Sequence, residues 1–235
     1  MGEHTVTSFD DDLGHIDQLI RDMGDLAGAM VAAATRSLLQ NDTALAQRVI
    51  SDDVVMDARQ RELDDRAITL IAKRQPMAQD LRSVVGAIRM AADLERIGDL
   101  AKNIAKRVNA VGEGSAPRGL SHSIDTMAQM VMDQVGAVIA AYEARDAQNL
   151  VSLREDDEKI DVQYTAVFRE LLTYMMEDPR NITACTHLLF CAKNLERIGD
   201  HVTNIAENAY YIVTGQQLPL NRPKLDETSV TVDSE

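Results

Sequence analysis

One fourteen-residue pattern occurs twice in this chain of 235 residues, and it limits the fold more than any other feature. DLERIGDLAKNIAK runs from 93 to 106 and NLERIGDHVTNIAE from 194 to 207, with nine of fourteen positions identical at an offset of 101 residues. Other landmarks keep almost the same step. Asp42 and Asp146 lie 104 apart, and Pro76 and Pro179 lie 103 apart. A near-constant offset across unrelated features is the mark of an internal duplication.

The repeated unit is helical. Apolar residues recur at a spacing of three and four, and no segment holds a strand's alternation for long. The periodicity predicts helices near 10–40, 43–74, 77–111, 120–144, 147–177 and 180–213. Asp42 and Asp146 stand where N-caps are expected, and Asp178-Pro179 reads as a cap followed by proline in the first turn. The fold class expected is all-α, two tandem, internally duplicated three-helix bundles at 10–111 and 120–215. GEGSAPRG (112–119) would link them, and the polar segment 216–235 would form a disordered tail. Hydrophobic residues make up 45% of the chain but aromatics only 3%, with no Trp. The core must therefore be built from aliphatic residues, Ala and Met, which suits packed helices.

A wheel divides the repeated pattern in two. Leu94, Ile97, Ala101, Ile104 and Val108 form one apolar seam, matched by Leu195, Ile198, Val202, Ile205, Ala209 and Ile212. Glu95, Asp99 and Asn103 fall on another row, repeated by Glu196, Asp200 and Asn204. Lying away from the seam, this row is expected to face outward. Like charges four apart weaken a helix by about 0.2–0.5 kcal/mol, and Gly98 and Gly199 cost roughly 1 kcal/mol more each relative to Ala. The glycines would leave room for a neighbouring helix or a ligand.

The second helix of each unit carries its own acid pair, Asp53 with Asp57 and Asp157 with Asp161, beside its apolar seam. Two antiparallel helices could then present four carboxylates to one region. Four such groups cannot all stay ionised without a counterion. Hard cations bound through oxygen would supply it: Mg²⁺, Mn²⁺ or Fe, with Zn²⁺ also compatible. His201, beside Asp200, is an additional candidate ligand, although Leu100 holds its place in the first copy.

Other chemistries find less support. A net charge of −14 and a pI near 4.7 argue against nucleic-acid binding. The apolar runs are too short to span a bilayer, so no direct membrane insertion is expected. No phosphate loop, dinucleotide-binding glycine pattern or nucleophile elbow occurs, and no His has a Glu three residues before it, as di-iron bundles require. Cys185 and Cys191, six apart, match neither a redox nor a zinc motif. No catalytic residue is assigned, and a non-enzyme is expected.

Both ERIGD copies, with KRQP upstream of the first, make the chain resemble the PhoU family. IAKRQPMAQDLRSVVGAIRMAADLERIGDLAKNIAKR (71–107) is similar to that family's first half, and YMMEDPRNITACTHLLFCAKNLERIGDHVTNIAENAYYIVTG (174–215) to its second. The resemblance implies a cytoplasmic negative regulator of the phosphate-starvation response and of high-affinity phosphate uptake. Its partners would be the sensor histidine kinase of the phosphate system, the ATPase subunit of the transporter and further copies of itself, as a homodimer. It also implies metal ions on the acidic faces. By position the ligands would be Asp53, Asp57, Glu95 and Asp99 in one half and Asp157, Asp161, Glu196 and Asp200 in the other, with Asn103 and Asn204 less firmly placed. The alternative reading is a metal-dependent hydrolase or a metal-storage helical protein.

Overall fold

The computed structural model describes residues 2–111 and 120–218. The linker 112–119 and most of the tail expected to be disordered, 219–235, lie outside them. Helices α1 (Gly2–Gln40), α2 (Thr43–Arg74) and α3 (Ala78–Ala105) form the first repeat, closed by a short α4 (Val108–Val111). Helices α5 (Leu120–Glu143), α6 (Ala147–Glu177) and α7 (Ile182–Thr214) form the second, with a 3₁₀ turn at Pro179–Asn181 leading into α7. Among the described residues there is no strand.

The helix boundaries follow from the residues that mark them. Asp42 Oδ1 accepts from the Leu45 amide at 2.9 Å, and Asp146 Oδ1 accepts from the amides of Gln148 and Asn149, each at 3.1 Å. Each cap follows a residue in the left-handed region, Asn41 (φ 53°) and Arg145 (φ 52°), so even the tight turn is duplicated. Asp178 accepts from the Arg180 amide and, with Pro179, starts the 3₁₀ turn. Gly215 (φ 76°) ends α7 in the left-handed conformation that glycine adopts at low cost. The third helix is interrupted where the sequence predicts it to continue to 111. Its ladder tightens at Arg107, whose amide donates to Ile104 O.

Every residue of the two predicted seams is buried. α2 contributes Val49, Met56, Leu63 and Leu70, and α6 contributes Leu153, Ile160 and Val167. Burying an aliphatic side chain of this size stabilises a fold by about 1.5–3 kcal/mol, so these rows hold the helices together. The two repeats share one continuous core rather than two separate ones. α1, α3, α5 and α7 make the central layer, while α2 packs on α1 and α3, and α6 packs on α5 and α7. Both cysteines are free and buried within this core; burial pushes the Cys191 thiol up to about 12, against a smaller opposing pull from Arg107.

Helices α3 and α7 run antiparallel across the centre. Arg82 lies over the Tyr211 ring at 5.2 Å, Asp93 meets His201, and Arg107 meets His187. The two copies of LERIGD therefore lie level with one another, in opposite directions, at the middle of the molecule. α1 and α5 are also antiparallel: Tyr142 donates to Asp17 Oδ1 at 2.5 Å, and a side chain added at Gly24 would collide with Ile139. Among the described residues no helix is long and apolar enough to cross a membrane.

Candidate functional site

The acid rows of α3 and α7 do not face open solvent, contrary to the reading from the wheel. Glu95 and Asp99 keep only 17% and 28% of their side-chain surface, and Glu196 is 5% exposed. The wheel weighs a helix against one seam. A helix at the centre of the molecule has neighbours on several sides, and α2 and α6 lie along the flank that carries the acids. Only the outer members of each row, Asn103 and Asn204, are exposed.

Each acid row meets the pair on its outer helix. In the first repeat Glu95 is held above its ordinary pKa chiefly by burial and then by Asp99, with smaller contributions from Asp57 and Asp53; Arg96 opposes them. Asp53 is buried and Asp57 half-buried. In the second repeat Asp157 and Asp161 are 1% and 5% exposed. Glu196 is raised chiefly by burial; Lys193 counters this, and Asp200 and Asp161 add to it. The four candidate carboxylates of each repeat are thus brought to one helix–helix junction.

The two glycines make that junction tight in different ways. A Cβ on Gly98 would lie 3.2 Å from Met56 Cγ and 3.6 Å from Met30 Cε, so Gly98 admits methionines of α2 and α1. A Cβ on Gly199 would lie 2.7 Å from Asp157 Oδ1 and 3.2 Å from Ile160 Cδ1. There the missing side chain lets a buried carboxylate approach the α7 backbone. Helix packing explains the first glycine, and carboxylate placement the second.

Charge compensation also differs. Lys102 Nζ donates to Asp53 Oδ2 at 2.7 Å and to Asp99 Oδ1 at 2.5 Å, joining α3 to α2. Burial works against its charge, but the two carboxylates outweigh it and hold the ammonium above its ordinary range. Arg96, 61% exposed, adds rim pairs to Glu95 and Asp99, which are worth little in water. In the second repeat Lys193 Nζ donates to Glu196 Oε1 at 2.8 Å, while Glu196 Oε2 is buried with no hydrogen-bond partner among the described residues. Lys102 is the participant that the motif reading passes over; its signal was a basic residue three positions after Asp99, within reach of the acid row.

As donors for a hard cation, these carboxylates have the right chemistry, and the orphaned oxygen of Glu196 is where an ion would be welcome. Among the described residues, however, no three His, Cys, Asp or Glu side chains are drawn close enough together to hold one. The side chains of His201 and Asn204 both bond to Asp93 of the first repeat. His201 Nδ1 pairs with Asp93 Oδ1 at 2.9 Å, and Asn204 Nδ2 donates to the same oxygen at 3.3 Å, so both turn toward α3 across the repeat interface.

Sequence and structure comparisons agree with this duplicated architecture. The PhoU domain family matches residues 20–108 and again 124–209. A protein of Rhizobium meliloti (strain 1021), the phosphate-specific transport system accessory protein PhoU homolog, is 55% identical over 226 residues, covering 96% of this chain and 95% of its own. A protein of the same description from Caulobacter vibrioides (strain NA1000 / CB15N) is 47% identical over 229 residues, covering 97% and 100%. The crystal structure of PhoU from Pseudomonas aeruginosa superposes with a TM-score of 0.84 at 35% identity, covering 88% of this chain and all of that one. PhoU from Streptococcus pneumoniae gives 0.83 at 27% identity, covering 90% of this chain and all of its own. With both repeats matched in order and along nearly their whole length, the chain belongs to the PhoU family.

Proposed function

We propose that this protein is an accessory regulator of phosphate transport that restrains high-affinity uptake and the starvation response when phosphate is plentiful. The observation that carries this reading is the end-to-end match of both repeats to phosphate-specific transport system accessory proteins. It works by binding rather than by turnover, in the cytoplasm, as an adaptor between the sensor histidine kinase and the transporter's ATPase subunit. An adaptor of this kind must prefer one state of its partner, because equal affinity for two states shifts neither. The preferred state here is the kinase's non-phosphorylating form. Self-association into a homodimer belongs to the same reading.

Metal ions are part of the proposal. Asp157, Asp161, Glu196 and Asp200 would hold them in the second repeat, and Fe, Zn, Mn or Mg would supply positive charge to the α6/α7 junction. The protein's own residues set the conditions: Gly199 lets Asp157 approach α7, and burial of Glu196 removes water that would otherwise compensate its charge.

Co-purification tests the adaptor reading. Tagged protein mixed with the purified kinase and transporter ATPase is expected to retain both at high phosphate. Retention of neither would remove the adaptor from the account.

A further inference from the structure

We propose that the crevice between α3 and α7 beside Arg89 is a binding site for a small phosphorylated organic molecule, its phosphate held by the Arg89 guanidinium, independently of any metal at the acidic junctions.

Because α3 and α7 carry copies of one helix and run antiparallel, the structure makes the same crossing contact twice. At one crossing Arg107 of α3 reaches α7, its Nη1 3.1 Å from His187 Nδ1 and its guanidinium 4.3 Å from the centre of the Phe190 ring. The offset of 101 residues carries Arg107 to Asn208, His187 to Gly86 and Phe190 to Arg89. These three do meet at the other crossing. A Cβ on Gly86 would lie 3.8 Å from Asn208 O, and Asn208 and Arg89 share the walls of one crevice. A short amide and a glycine thus stand where the first crossing has an arginine and a histidine, and the space that Arg107 fills at the first is open at the second. That crevice measures about 480 Å³. It falls within the range of small-molecule sites, about 300–1,000 Å³, and is far roomier than a bare tetrahedral anion requires.

The acids on its walls are already engaged. Asp93 is bonded by His201 and Asn204, and Glu207 pairs with Arg154 at 3.3 Å. Arg89 is exposed and has no hydrogen bond, ion pair or ring contact among the described residues. Arg82 lies over the Tyr211 ring, which forms part of the wall. Three guanidinium groups (Arg82, Arg89 and Arg154) therefore stand against two carboxylates (Asp93 and Glu207), which makes this region locally positive on a chain of net charge −14. A guanidinium presents a planar fork of donors that matches phosphate oxygens two at a time. Asn208, Tyr211 and Gln217 add neutral hydrogen-bonding groups for the body attached to the phosphate.

Isothermal titration calorimetry of the full chain with AMP and glucose 6-phosphate, beside adenosine, glucose and inorganic phosphate, tests this. At least one of the two esters is expected to bind, more tightly than inorganic phosphate. Its unphosphorylated parent should bind weaker by about tenfold or more, the scale of a lost charge-assisted hydrogen bond. R89A should weaken the ester by the same factor, and R89K, which keeps the charge and loses the fork, should weaken it less. N208F, which fills the crevice without adding charge, should block binding, whereas R107A at the opposite crossing should leave it unchanged. Circular dichroism checks that each variant folds. Binding that is unchanged in R89A, or lost in R107A and kept in R89A, would overturn the site. Equal affinity for ester and parent would overturn the role of the phosphate, and inorganic phosphate binding as tightly as the ester would overturn an organic ligand. Binding of neither ester would overturn the proposal as a whole.

Discussion

Asp93 of the first repeat and His201 of the second are joined across the molecular centre at 2.9 Å, each with less than a fifth of its side chain exposed. A carboxylate only accepts, so Nδ1 of His201 carries the proton in this bond. Asn204 donates to the same oxygen. Asp93 is therefore a joint between the repeats, and His201 is committed to it rather than to the acids of its own helix. Replacing Asp93 with Ala is expected to lower stability by about 1.5–3 kcal/mol, the range for hydrogen bonds to a charged group. His201→Ala should cost less and leave metal uptake unchanged. Chemical denaturation and Mn²⁺ titration of the two variants check both statements; a loss of uptake in His201→Ala would place the histidine among the ligands.

The two motif glycines separate by what they face. Ala is favoured over Gly by about 1 kcal/mol in a helix interior, so each substitution begins with a gain. At Gly98 the new methyl group meets flexible methionine side chains at 3.2 Å and beyond, and methionine adapts readily. Gly98→Ala should come out near neutral. At Gly199 it meets a carboxylate oxygen at 2.7 Å on a residue that is 1% exposed. Overpacking of that kind costs about 1–3 kcal/mol, so Gly199→Ala should be net destabilising. Paired thermal melts decide it, and equal melting temperatures would contradict the carboxylate-placement role.

Glu196 makes the metal-free protein sensitive to pH in a definite direction. Burial, countered by Lys193 and aided by Asp200 and Asp161, holds its pKa above the ordinary glutamate value. The folded state therefore keeps this proton to higher pH than the unfolded chain does. Its contribution is fully present below the unfolded pKa of about 4.3 and is lost as pH rises through the folded value. Glu196→Gln, which mimics the protonated form, should raise the melting temperature of metal-free protein at pH 7 and flatten its fall with pH. The same variant should lose the stabilisation that Mn²⁺ confers on wild type. A lower melting temperature for the metal-free variant at pH 7 would show that the ionised carboxylate is well compensated.

Much of the fold could be read from the sequence because its signals are local and doubled. Asp42 and Asp146 cap helices through bonds that span only three residues, and each seam of aliphatic residues needs only its own helix to be recognised. The acid pairs were legible as pairs, since spacing alone puts Glu95 above Asp99 and Asp53 above Asp57. Their burial was not. It depends on α2 and α6 lying along the acid flank, a tertiary fact that one helical wheel cannot carry. Lys102 and His201 were obscured for the same reason: a side chain that reaches Asp53 or Asp93 bonds across 49 or 108 residues of sequence. The interruption at Arg107 likewise falls where that side chain reaches α7, to His187 and over the Phe190 ring at 4.3 Å.

The central claim, a regulator that restrains the phosphate-starvation response, is tested most directly by a starvation-responsive reporter in cells lacking this gene, grown in phosphate-rich medium. Reporter expression should be high without the gene, fall to its basal level when the wild-type chain is restored, and remain high with E196Q/D200N. Basal expression in the deletion strain would contradict the account.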